Sequence, residues 1–518
     1  MNKSNINYFV KKNFFKIKTK NSKKKILLID RGLAESAIMN SFFAFILNKK
    51  YSYNIDLVNN VSKKNHLFKI YESFGIKKNI NININHNLLR LDLILSSILL
   101  FFFDFFKIFI FGRTWFIKNY EVKNIYFGDL IYDEYIRNGH NFLKRNLINY
   151  KFLKILFIRI FKIHFLYDLI KKENYNYIFA PTDTYASNSA LGLRIALRKK
   201  IKVLNILSNR LRIYTKPIQA QRIEFMFDHE FLNDKKIFSK NWKKKFDIML
   251  KERYQGKIKY HTAKDAYYKK KSIDKNEFIK IFKLKKKKFK RVVFFAPHCF
   301  SDANHRAGRL IFDDYYAQFQ NTIKLAKKDK DSLWIVKIHP QSYKYNEENL
   351  IYDLLPKKPK NLVVSPKHIS TYSLIKFSDL IITGRGTIGL EASCFGKKPL
   401  LAGDSFYSNF GITHDPKNIA EYNLKALNYK LSSKLGKKQI IQAKKLFYLL
   451  VFKNSHISCD KILVSNYLKA DIKLNRMKQQ FLSVDEFLKN IIKKLDSKID
   501  LSKDKIFQHF EEIFIKQG

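Results

Sequence analysis

The sequence predicts an α/β fold with two Rossmann-like lobes, each built on a parallel sheet, and a helical extension at the carboxyl end. Two series of short apolar strands alternate with stretches long enough for helices, which is typical of parallel sheets. A lysine-dominated segment separates the two series. With 518 residues, of which 46% are hydrophobic, the chain has enough apolar material to bury two large cores.

The first strand series lies in the amino-terminal half of the chain. Its predicted strands are Lys25–Asp30, Asn54–Val58, Lys123–Phe127, Tyr175–Ala180 and Ile201–Ile206. We expect residues 24–260 to form the first lobe. Residues 1–23 are basic and polar, without the apolar core of a secretory signal, and we expect a flexible tail there.

The second strand series follows the lysine-dominated segment, which we interpret as a linker over residues 261–290. Its predicted strands are Arg291–Ala296, Leu333–Ile338, Asn361–Val364, Asp379–Thr383 and Pro399–Ala402. We expect residues 291–430 to form the second lobe. The remaining residues, 431–518, are lysine-rich and contain no further strand series, so we expect a helical extension.

The net charge of +56 is large enough to suggest a nucleic-acid partner. Only 17 of the 100 basic residues are arginine, however, and arginine is the preferred side chain for bidentate contacts with phosphates and bases. We therefore do not expect nucleic acid as the main partner. The three cysteines are far apart in the sequence and form no C-x-x-C pair, so we expect neither a disulfide framework nor a structural zinc site.

The segment Leu91–Phe111 is the most apolar part of the chain. Asp104 and Lys107 interrupt it, so it falls short of the roughly 20 apolar residues of a membrane span. Burial inside the first lobe is the favoured interpretation, and a helix that lies in the membrane interface is the alternative. We predict a partly exposed helix over Leu93–Ile110.

Polar side chains follow three strands of the second series at the points where those strands end. They are His298, Asp302, His305 and Arg309 after the first strand, Lys337, His339 and Pro340 after the second, and Gly384–Gly389 after the fourth. Because the carboxyl ends of parallel strands share one edge of a sheet, we expect these residues to gather there. Cationic side chains beside a helix amino terminus suit a ligand that carries phosphate.

Two motifs within this part of the chain indicate other chemistry. Gly384–Gly389 has the form G-x-G-x-x-G and Asp404 follows it, which is the pattern of a nicotinamide or flavin enzyme. The motif comes late in its lobe, however, and Asp404 opens a loop, so this alternative is not favoured. Asp329 and Asp331 form a D-x-D at the amino end of a predicted strand, away from the expected ligand edge, and we expect no metal site.

Several of these strings resemble the capsule polysaccharide biosynthesis family of bacterial glycosyltransferases. They are SDANHRAGR, KIHP, SPKHIST and GRGTIGLEASCFGKKPLLAGDSFYSNFGIT, with a looser similarity in YFGDLIYDEYIR. The resemblance is specific over about residues 292–415. It implies a GT-B-like architecture, in which two Rossmann-like lobes face each other across a cleft, with the sugar nucleotide on the second lobe and the acceptor facing the first.

The resemblance also implies roles for individual donor-binding residues. His339 and Pro340 match the His-Pro pair that contacts the nucleotide phosphate in related CMP-sugar transferases. Arg385, Gly386 and Thr387 occupy the turn where relatives often place serine or threonine on that phosphate, and the arginine is a departure. Glu391 resembles the acidic residue that holds the ribose in GT-B enzymes. His305, Arg309 and Lys337 complete the expected donor site.

Transfer to an acceptor hydroxyl needs a group that removes its proton. Our candidates are Asp129 and Asp183 at strand ends of the first lobe, and His298 and Asp302 in the second. Asp30 with Glu35 is a further pair at a strand end of the first lobe.

The resulting hypothesis is a cytoplasmic glycosyltransferase at the inner membrane face, which builds a capsule or other surface polysaccharide. We expect a nucleotide-sugar donor, with a CMP-activated sugar as one option, a lipid-linked saccharide acceptor and no other cofactor. A non-catalytic polysaccharide-assembly protein with the same fold is the second hypothesis. A nucleic-acid-binding or NAD-dependent protein is the third.

Overall fold

A computed structural model describes residues 22–449, except 33, 60–65, 77, 138, 145, 183, 208–209, 216–231, 233–237, 239–240, 258–265, 285–288, 307, 431–433. The described residues form two compact units. The first lies within Met1–Tyr132 and Asn146–Ala220, and the second lies within Asp133–Arg145 and Gln221–Asn454. The first unit ends before the predicted boundary at residue 260, and the predicted domain bounds stay predictions. The predicted tail and most of the predicted extension lie outside the described residues.

The first unit is built on a six-stranded sheet in the order β3-β2-β1-β6-β7-β8. Its strands are β1 (Lys25–Ile29), β2 (Asn54–Asn59), β3 (Asn79–Asn81), β6 (Tyr177–Phe179), β7 (Lys202–Leu207) and β8 (Arg210–Tyr214). All neighbours run parallel except β7 and β8, which are antiparallel. The central strand β1 is almost fully buried, as expected of an apolar strand covered on both faces.

One predicted strand of the first lobe is wrong. Lys123–Phe127 does not enter the parallel sheet; it belongs to an antiparallel hairpin of β4 (Glu121–Val122) and β5 (Ile125–Tyr126). The reason lies in the backbone, since Lys123 and Asn124 both have positive φ angles, of 55° and 58°. Two successive residues in this region form the tight turn that joins antiparallel strands.

The helices of the first unit surround this sheet. They are α1 (Ala34–Tyr51), α2 (His66–Ser73), α3 (Leu91–Asn119), the start of α4 (Gly128–Arg137), α5 (Tyr150–Lys172) and α6 (Asn188–Arg198). The side chains of Asn149 and Ser187 cap α5 and α6 by accepting main-chain N–H bonds, which satisfies donors that each helix start leaves unpaired.

Helix α3 is much more exposed than a core helix. It contains the predicted segment Leu93–Ile110, but many of its large apolar side chains face solvent, so the favoured interpretation as a buried helix is wrong. Gly112 interrupts the helix with a φ of 72°, a value that glycine adopts readily. Among the described residues α3 alone is long and apolar enough to cross a membrane.

The second unit is built on a five-stranded parallel sheet in the order β11-β10-β9-β12-β13. Its strands are β9 (Arg291–Ala296), β10 (Ser332–Val336), β11 (Leu362–Val364), β12 (Leu380–Thr383) and β13 (Leu400–Leu401). All correspond to predicted strands. The chain starts in the centre, moves to one edge and then returns to fill the other side, which is a doubly wound order. The predicted α/β class with two Rossmann-like parallel sheets is confirmed, while the predicted cleft stays a prediction.

The helices of the second unit include segments that we had assigned elsewhere. They are α7 (Trp242–Tyr254), α8 (Lys275–Ile281), α9 (Tyr315–Lys328), α10 (Leu350–Asp353), α11 (Thr371–Phe377), α12 (Thr387–Cys394), α13 (Ile419–Leu427) and α14 (Lys437–Tyr448). Trp242 and Phe246 of α7 pack with Phe447 of α14 in one core cluster. Phe278 of α8 joins another core cluster, so the predicted linker contributes to the core.

Candidate functional site

The carboxyl ends of β9, β10 and β12 bring together a group of side chains that we call the sheet-edge cluster. It consists of His298, Tyr315, His339, Gly384 and Arg385. The His298 ring stacks on Tyr315 with centroids 4.4 Å apart, and on His339 with centroids 5.9 Å apart. The sequence-based expectation that these strand ends meet is therefore met for His298, His339 and Arg385.

The glycines of the Gly384–Gly389 motif allow the turn after β12 to approach the cluster. A Cβ atom at Gly384 would lie 2.8 Å from Cδ2 of His298 and 2.9 Å from Cε1 of Tyr315. At Gly386 it would lie 3.3 Å from Nε2 of His298. Packing thus excludes a side chain at Gly384, since the nearest atoms belong to the rings of His298 and Tyr315, which stack on each other.

Arg385 is a buried cation without a carboxylate partner among the described residues. Its side chain and main chain together are only 7% exposed, and NH1 donates to the carbonyl of Gly308 at 3.3 Å. Nε and NH2 have no hydrogen-bond partner in the described part of the chain. A buried charge without a counter-ion is costly, because water no longer solvates it. A bound anion would supply both the charge and the missing acceptors.

The hydrogen bonds of His298 define which of its nitrogens carries the proton. Nε2 lies 3.3 Å from the main-chain nitrogen of Arg385, which can only donate, so Nε2 is the acceptor. Burial, assisted by His339 and Arg385, lowers the pKa of His298 well below its usual range. The imidazole is therefore neutral, with its basic nitrogen occupied by the turn that carries Arg385. This geometry suits a residue that positions the turn better than one that transfers a proton.

His339 differs from His298 in the ring nitrogen that accepts hydrogen bonds. Its Nδ1 accepts from the main-chain N–H of Gln341 at 3.2 Å and lies 3.2 Å from Sγ of Cys299. Burial raises the pKa of the Cys299 thiol, so the sulfur keeps its proton and can donate it to Nδ1. With Nδ1 as acceptor, the single N–H of an uncharged imidazole lies on Nε2, which is then the donor side of the ring. Pro340 follows directly, at the start of the turn in which Ser342 donates to the carbonyl of His339.

Helix α12 begins immediately after Arg385. Gly386 is its N-cap and offers no side-chain acceptor to the first turn, and Thr387 is exposed. The main-chain N–H groups of a first helical turn have no partner within the helix and favour a negative charge. Gly386, Thr387 and Arg385 thus combine free donors with a fixed positive charge at one edge of the sheet.

The loop after β9 is held by two buried carboxylates that the sequence analysis did not single out. Asp133 of α4 accepts from Nδ1 of His305 at 2.7 Å and from its main-chain N–H at 3.0 Å. Glu347 accepts from the main-chain N–H groups of Phe300 and Ser301, both at 2.8 Å. Asp133 lies one turn after Asp129 in the string GDLIYD, and this spacing was the available signal for it. No spacing of this kind in the sequence indicates a role for Glu347.

Asp302 lies in the same loop and is partly exposed. Its Oδ1 accepts from the main-chain N–H of Ala303 at 2.8 Å, and its carbonyl accepts from the side-chain amide of Asn304 at 2.6 Å. Asn304 in turn accepts from the first N–H of α9, that of Tyr315, at 2.6 Å. The loop is thus fixed to α9, the helix that begins at the cluster residue Tyr315.

Three predicted donor-binding residues have partners away from the cluster. The Lys337 ammonium is buried and donates to the carbonyl of Ile369 at 2.5 Å, and burial lowers its pKa to about 7. Arg309 is half exposed; its main-chain N–H donates to Asp404 and its guanidinium to the carbonyl of Lys417. The contacts of both residues are structural, so their predicted role on the donor has no support in this geometry.

Glu391 is the third. It is 2% exposed, accepts from Nε and NH2 of Arg253 at 3.0 and 2.5 Å, and accepts from the hydroxyl of Tyr267. A carboxylate with a paired arginine and a tyrosine hydroxyl has little remaining capacity to hold a ribose. The pair instead ties α7 to α12, which explains why α7 belongs to the second unit.

The two catalytic candidates of the first lobe have different outcomes. Asp129 is buried, and its two oxygens accept from NH1 and NH2 of Arg194, both at 2.6 Å. This bidentate pair engages both oxygens with a structural partner, so the geometry gives no support to the predicted catalytic role, which stays a prediction. Asp183 lies outside the described residues and stays a prediction.

The two alternative motifs also receive structural explanations. The G-x-G-x-x-G string follows β12, the fourth strand of its sheet along the chain, whereas a dinucleotide fingerprint belongs to the first β-α turn. Asp404 accepts from the main-chain N–H of Arg309. In the D-x-D, Asp329 pairs with Arg291 and Asp331 pairs with Lys290, so the two carboxylates have separate partners.

Comparison with known proteins relates the second unit to one family. Residues 237–448 match the family model described as capsule polysaccharide biosynthesis protein. No curated protein sequence matches the chain.

Among solved structures, the beta Kdo 2,4 transferase KpsC of Thermosulfurimonas dismutans is 14% identical, with a TM-score of 0.30, and covers 53% of this chain and 88% of its own. The UDP-GlcNAc 2-epimerase of Neisseria meningitidis is 14% identical, with a TM-score of 0.18, and covers 92% of this chain and 100% of its own. That of Methanocaldococcus jannaschii is 15% identical, with a TM-score of 0.21, and covers 83% and 99%. TM-scores of this size support no argument about activity.

The family match and the described geometry coincide on the same part of the chain. The sheet-edge cluster lies entirely within the matched residues, and so do α7 and α14, which complete the core of the second unit. Residues 237–448 are therefore similar to the capsule polysaccharide biosynthesis family, and this match confirms the resemblance that the motifs predicted.

Proposed function

We propose that this chain is a glycosyltransferase that transfers a sugar from a nucleotide-sugar donor to a growing capsule or surface polysaccharide. The match of residues 237–448 to the capsule polysaccharide biosynthesis family supports the biological setting. The buried, unpaired guanidinium of Arg385 supports the chemistry, because it requires an anion and is placed where parallel sheets bind ligands.

A nucleotide phosphate satisfies the donors of the sheet-edge cluster better than a neutral sugar does. Nε and NH2 of Arg385 form a planar pair of donors that matches two phosphate oxygens. Nε2 of His339 adds one neutral donor, and the first turn of α12 after Gly386 adds main-chain N–H groups. The proposed site thus consists of one charge, one imidazole and one helix end.

The same donors would assist the reaction itself. When the bond between sugar and nucleotide breaks, negative charge develops on the departing phosphate. Donors that are already fixed in place stabilise this charge without having to reorganise during the reaction. Gly384 and His298 hold Arg385 by packing and by a main-chain hydrogen bond, so its position does not depend on the ligand.

The acceptor hydroxyl must lose a proton during transfer. Asp302 is a partly exposed candidate among the described residues, whereas Asp129 is buried in a pair with Arg194 and the basic nitrogen of His298 accepts from the main-chain N–H of Arg385. We propose Asp302 as the base, with Asp183 as the alternative. We also propose a lipid-linked saccharide as acceptor, a CMP-activated sugar as the first donor to test, and the cytoplasmic face of the membrane as the location.

The experiment incubates the full-length chain with CMP-activated and UDP-activated sugars, with and without a lipid-linked oligosaccharide, and measures nucleotide release. We expect release with one donor, increased by the acceptor, and a loss of at least tenfold in the Arg385→Ala variant. If all donors remain intact while nucleotide binding persists, the chain is a non-catalytic binding protein. If neither binding nor release occurs, the proposed donor site is wrong.

A further inference from the structure

The exposed side of α3 forms a continuous apolar surface on the first unit. We call it the α3 apolar surface; its members are Leu95, Leu99, Phe102, Phe103, Phe106, Phe109 and Ile110, which are 57–72% exposed. A soluble monomer rarely leaves so many large apolar side chains side by side in water. The surface therefore calls for a covering partner.

The opposite side of α3 is packed against the protein. Ser97 and Asp104 are buried on that side, and Oγ of Ser97 lies 3.1 Å from Nδ1 of His164 on α5. Asp104 accepts from the hydroxyl of Tyr120 at 2.6 Å. The helix is thus fixed to the first unit along one side and offers the other to a partner.

A cationic cavity of about 510 Å³ lies beside the start of α3. Its polar lining consists of Asn83, Asn85, His86, Lys154, Arg159 and Lys162. No acidic side chain contributes to the lining, and three of its residues, Lys154, Arg159 and Lys162, are basic. Amides and cations without a carboxylate fit a phosphate group.

The chain connects the cavity directly to the apolar surface. His86 in the wall of the cavity is followed within three residues by Leu88 and Leu89, which are 60% and 98% exposed, and then by Leu91 at the start of α3. Lys107 on α3 and Lys118 near its end add positive charge next to the exposed phenylalanines. A cavity with basic side chains in its wall, next to exposed apolar side chains, matches the two parts of an anionic lipid.

We propose that this side of the first unit docks on an anionic lipid bilayer, with the α3 apolar surface in the acyl boundary and a lipid phosphate in the cationic cavity. Apolar contact and attraction to anionic lipids together determine the strength of such interfacial binding. The proposal does not depend on the glycosyltransferase activity. It concerns a helix that lies on the membrane, because α3 is kinked at Gly112 and keeps Asp104 packed against the protein.

The first test measures flotation of the full-length chain with vesicles of phosphatidylcholine alone or mixed with phosphatidylglycerol. We expect binding to the mixed vesicles and at least tenfold weaker binding of a Leu99→Ser, Phe106→Ser, Phe109→Ser variant. Leu424→Ser is the matched control, because Leu424 is 73% exposed on α13 of the second unit. Circular dichroism verifies folding; these side chains face solvent, so the variant should keep its unfolding midpoint.

The second test addresses the cavity. Lys154→Gln with Arg159→Gln should weaken binding to the mixed vesicles by at least fivefold, whereas Lys251→Gln, an exposed lysine of α7, should not. Inorganic phosphate at millimolar concentration distinguishes a free anion from a lipid headgroup. If phosphate binds the wild type but not the double variant, and yet leaves vesicle binding unchanged, the assignment of the cavity to lipid is overturned.

Three outcomes overturn the docking proposal. One is equal binding of the wild type and the α3 triple variant. Another is a soluble dimer that the triple variant converts to a monomer without any vesicle binding, which would assign the surface to a second copy of the chain. The last is retention of the wild type in membranes after alkaline carbonate extraction, which would show that α3 spans the bilayer.

Discussion

The main-chain N–H of Arg385 donates a hydrogen bond to Nε2 of His298 at 3.3 Å. This bond joins the turn after β12 to the loop after β9, which are neighbouring strands in the sheet. It also fixes His298 as a neutral acceptor and leaves the Arg385 guanidinium free to carry the charge of the site. His298 thus positions the turn, and Arg385 provides the charge that we propose binds the ligand.

Replacing His298 by alanine should weaken nucleotide binding. The variant loses one neutral hydrogen bond to the Arg385 turn, which is worth about 0.5–1.5 kcal/mol, or roughly two- to tenfold in affinity. Titration calorimetry with the nucleotide that binds the wild type measures the effect, and His368→Ala, an exposed histidine of the same unit, is the control. Unchanged nucleotide affinity with a strongly reduced turnover would instead indicate a catalytic base.

Replacing Gly384 by alanine should destabilise the second unit. The new methyl group would be placed under 3 Å from the rings of His298 and Tyr315, and such overpacking costs about 1–3 kcal/mol. Urea unfolding measures the loss. Gly436→Ala serves as the control, since its nearest neighbour would be Oε1 of Gln439 at 3.7 Å. Equal midpoints for the two variants would contradict the packing described for the motif.

Replacing Glu391 by alanine should reduce stability more than nucleotide affinity. Removal of one partner leaves Arg253 as a buried, uncompensated charge, which costs about 3–5 kcal/mol. A second variant, Arg253→Met with Glu391→Leu, removes both charges and should recover much of the loss, as judged by thermal unfolding. A stable Glu391→Ala protein that no longer binds nucleotide would restore the predicted ribose contact.

The stability of the protein should depend on pH through Lys337. Its pKa is lowered by burial from 10.5 to about 7, so between these values the unfolded chain binds more protons than the folded one. As the pH rises above 7, the free energy of unfolding therefore increases by up to about 1.4 kcal/mol per pH unit. Below pH 7 the folded and unfolded chains both hold the proton, so Lys337 adds no pH dependence there. This dependence of the free energy of unfolding on pH should disappear in the Lys337→Met variant. Urea unfolding of both proteins at pH 6, 8 and 9.5 measures the difference, which would stay constant if Lys337 were solvated.

The second sheet could be predicted from the sequence because its strands are short apolar runs that end in polar residues. In the first unit, β3 was missed because its sequence, Asn-Ile-Asn, has little apolar character. The predicted partial exposure of Leu93–Ile110 is confirmed, but the favoured burial inside the first lobe is not, since hydrophobicity alone does not show whether an apolar helix faces a core or the surface. The sequence also did not show that α7, although lysine-rich, buries Trp242 and Phe246 in the second unit.

The candidate site was predictable to the extent that strand ends determine it. His298, His339 and Arg385 meet as expected because they follow adjacent parallel strands. Lys337 was misassigned because its ammonium bonds to the Ile369 carbonyl, which only the folded chain shows. Asp133 was missed because its spacing from Asp129 marks only a shared helix face, whereas its contact with His305 joins residues 172 positions apart.

The central claim is that Arg385 binds the phosphate of a nucleotide sugar, and calorimetric titration of the wild type and Arg385→Ala with CMP- and UDP-sugars tests it most directly. Loss of a charge-assisted hydrogen bond costs about 1.5–3 kcal/mol, so we expect affinity for the bound nucleotide to fall roughly ten- to a hundredfold without loss of stability. Arg309→Ala, which removes a half-exposed arginine outside the cluster, should bind as the wild type does. Undiminished binding by Arg385→Ala, with binding lost in Asp404→Ala, would contradict the account.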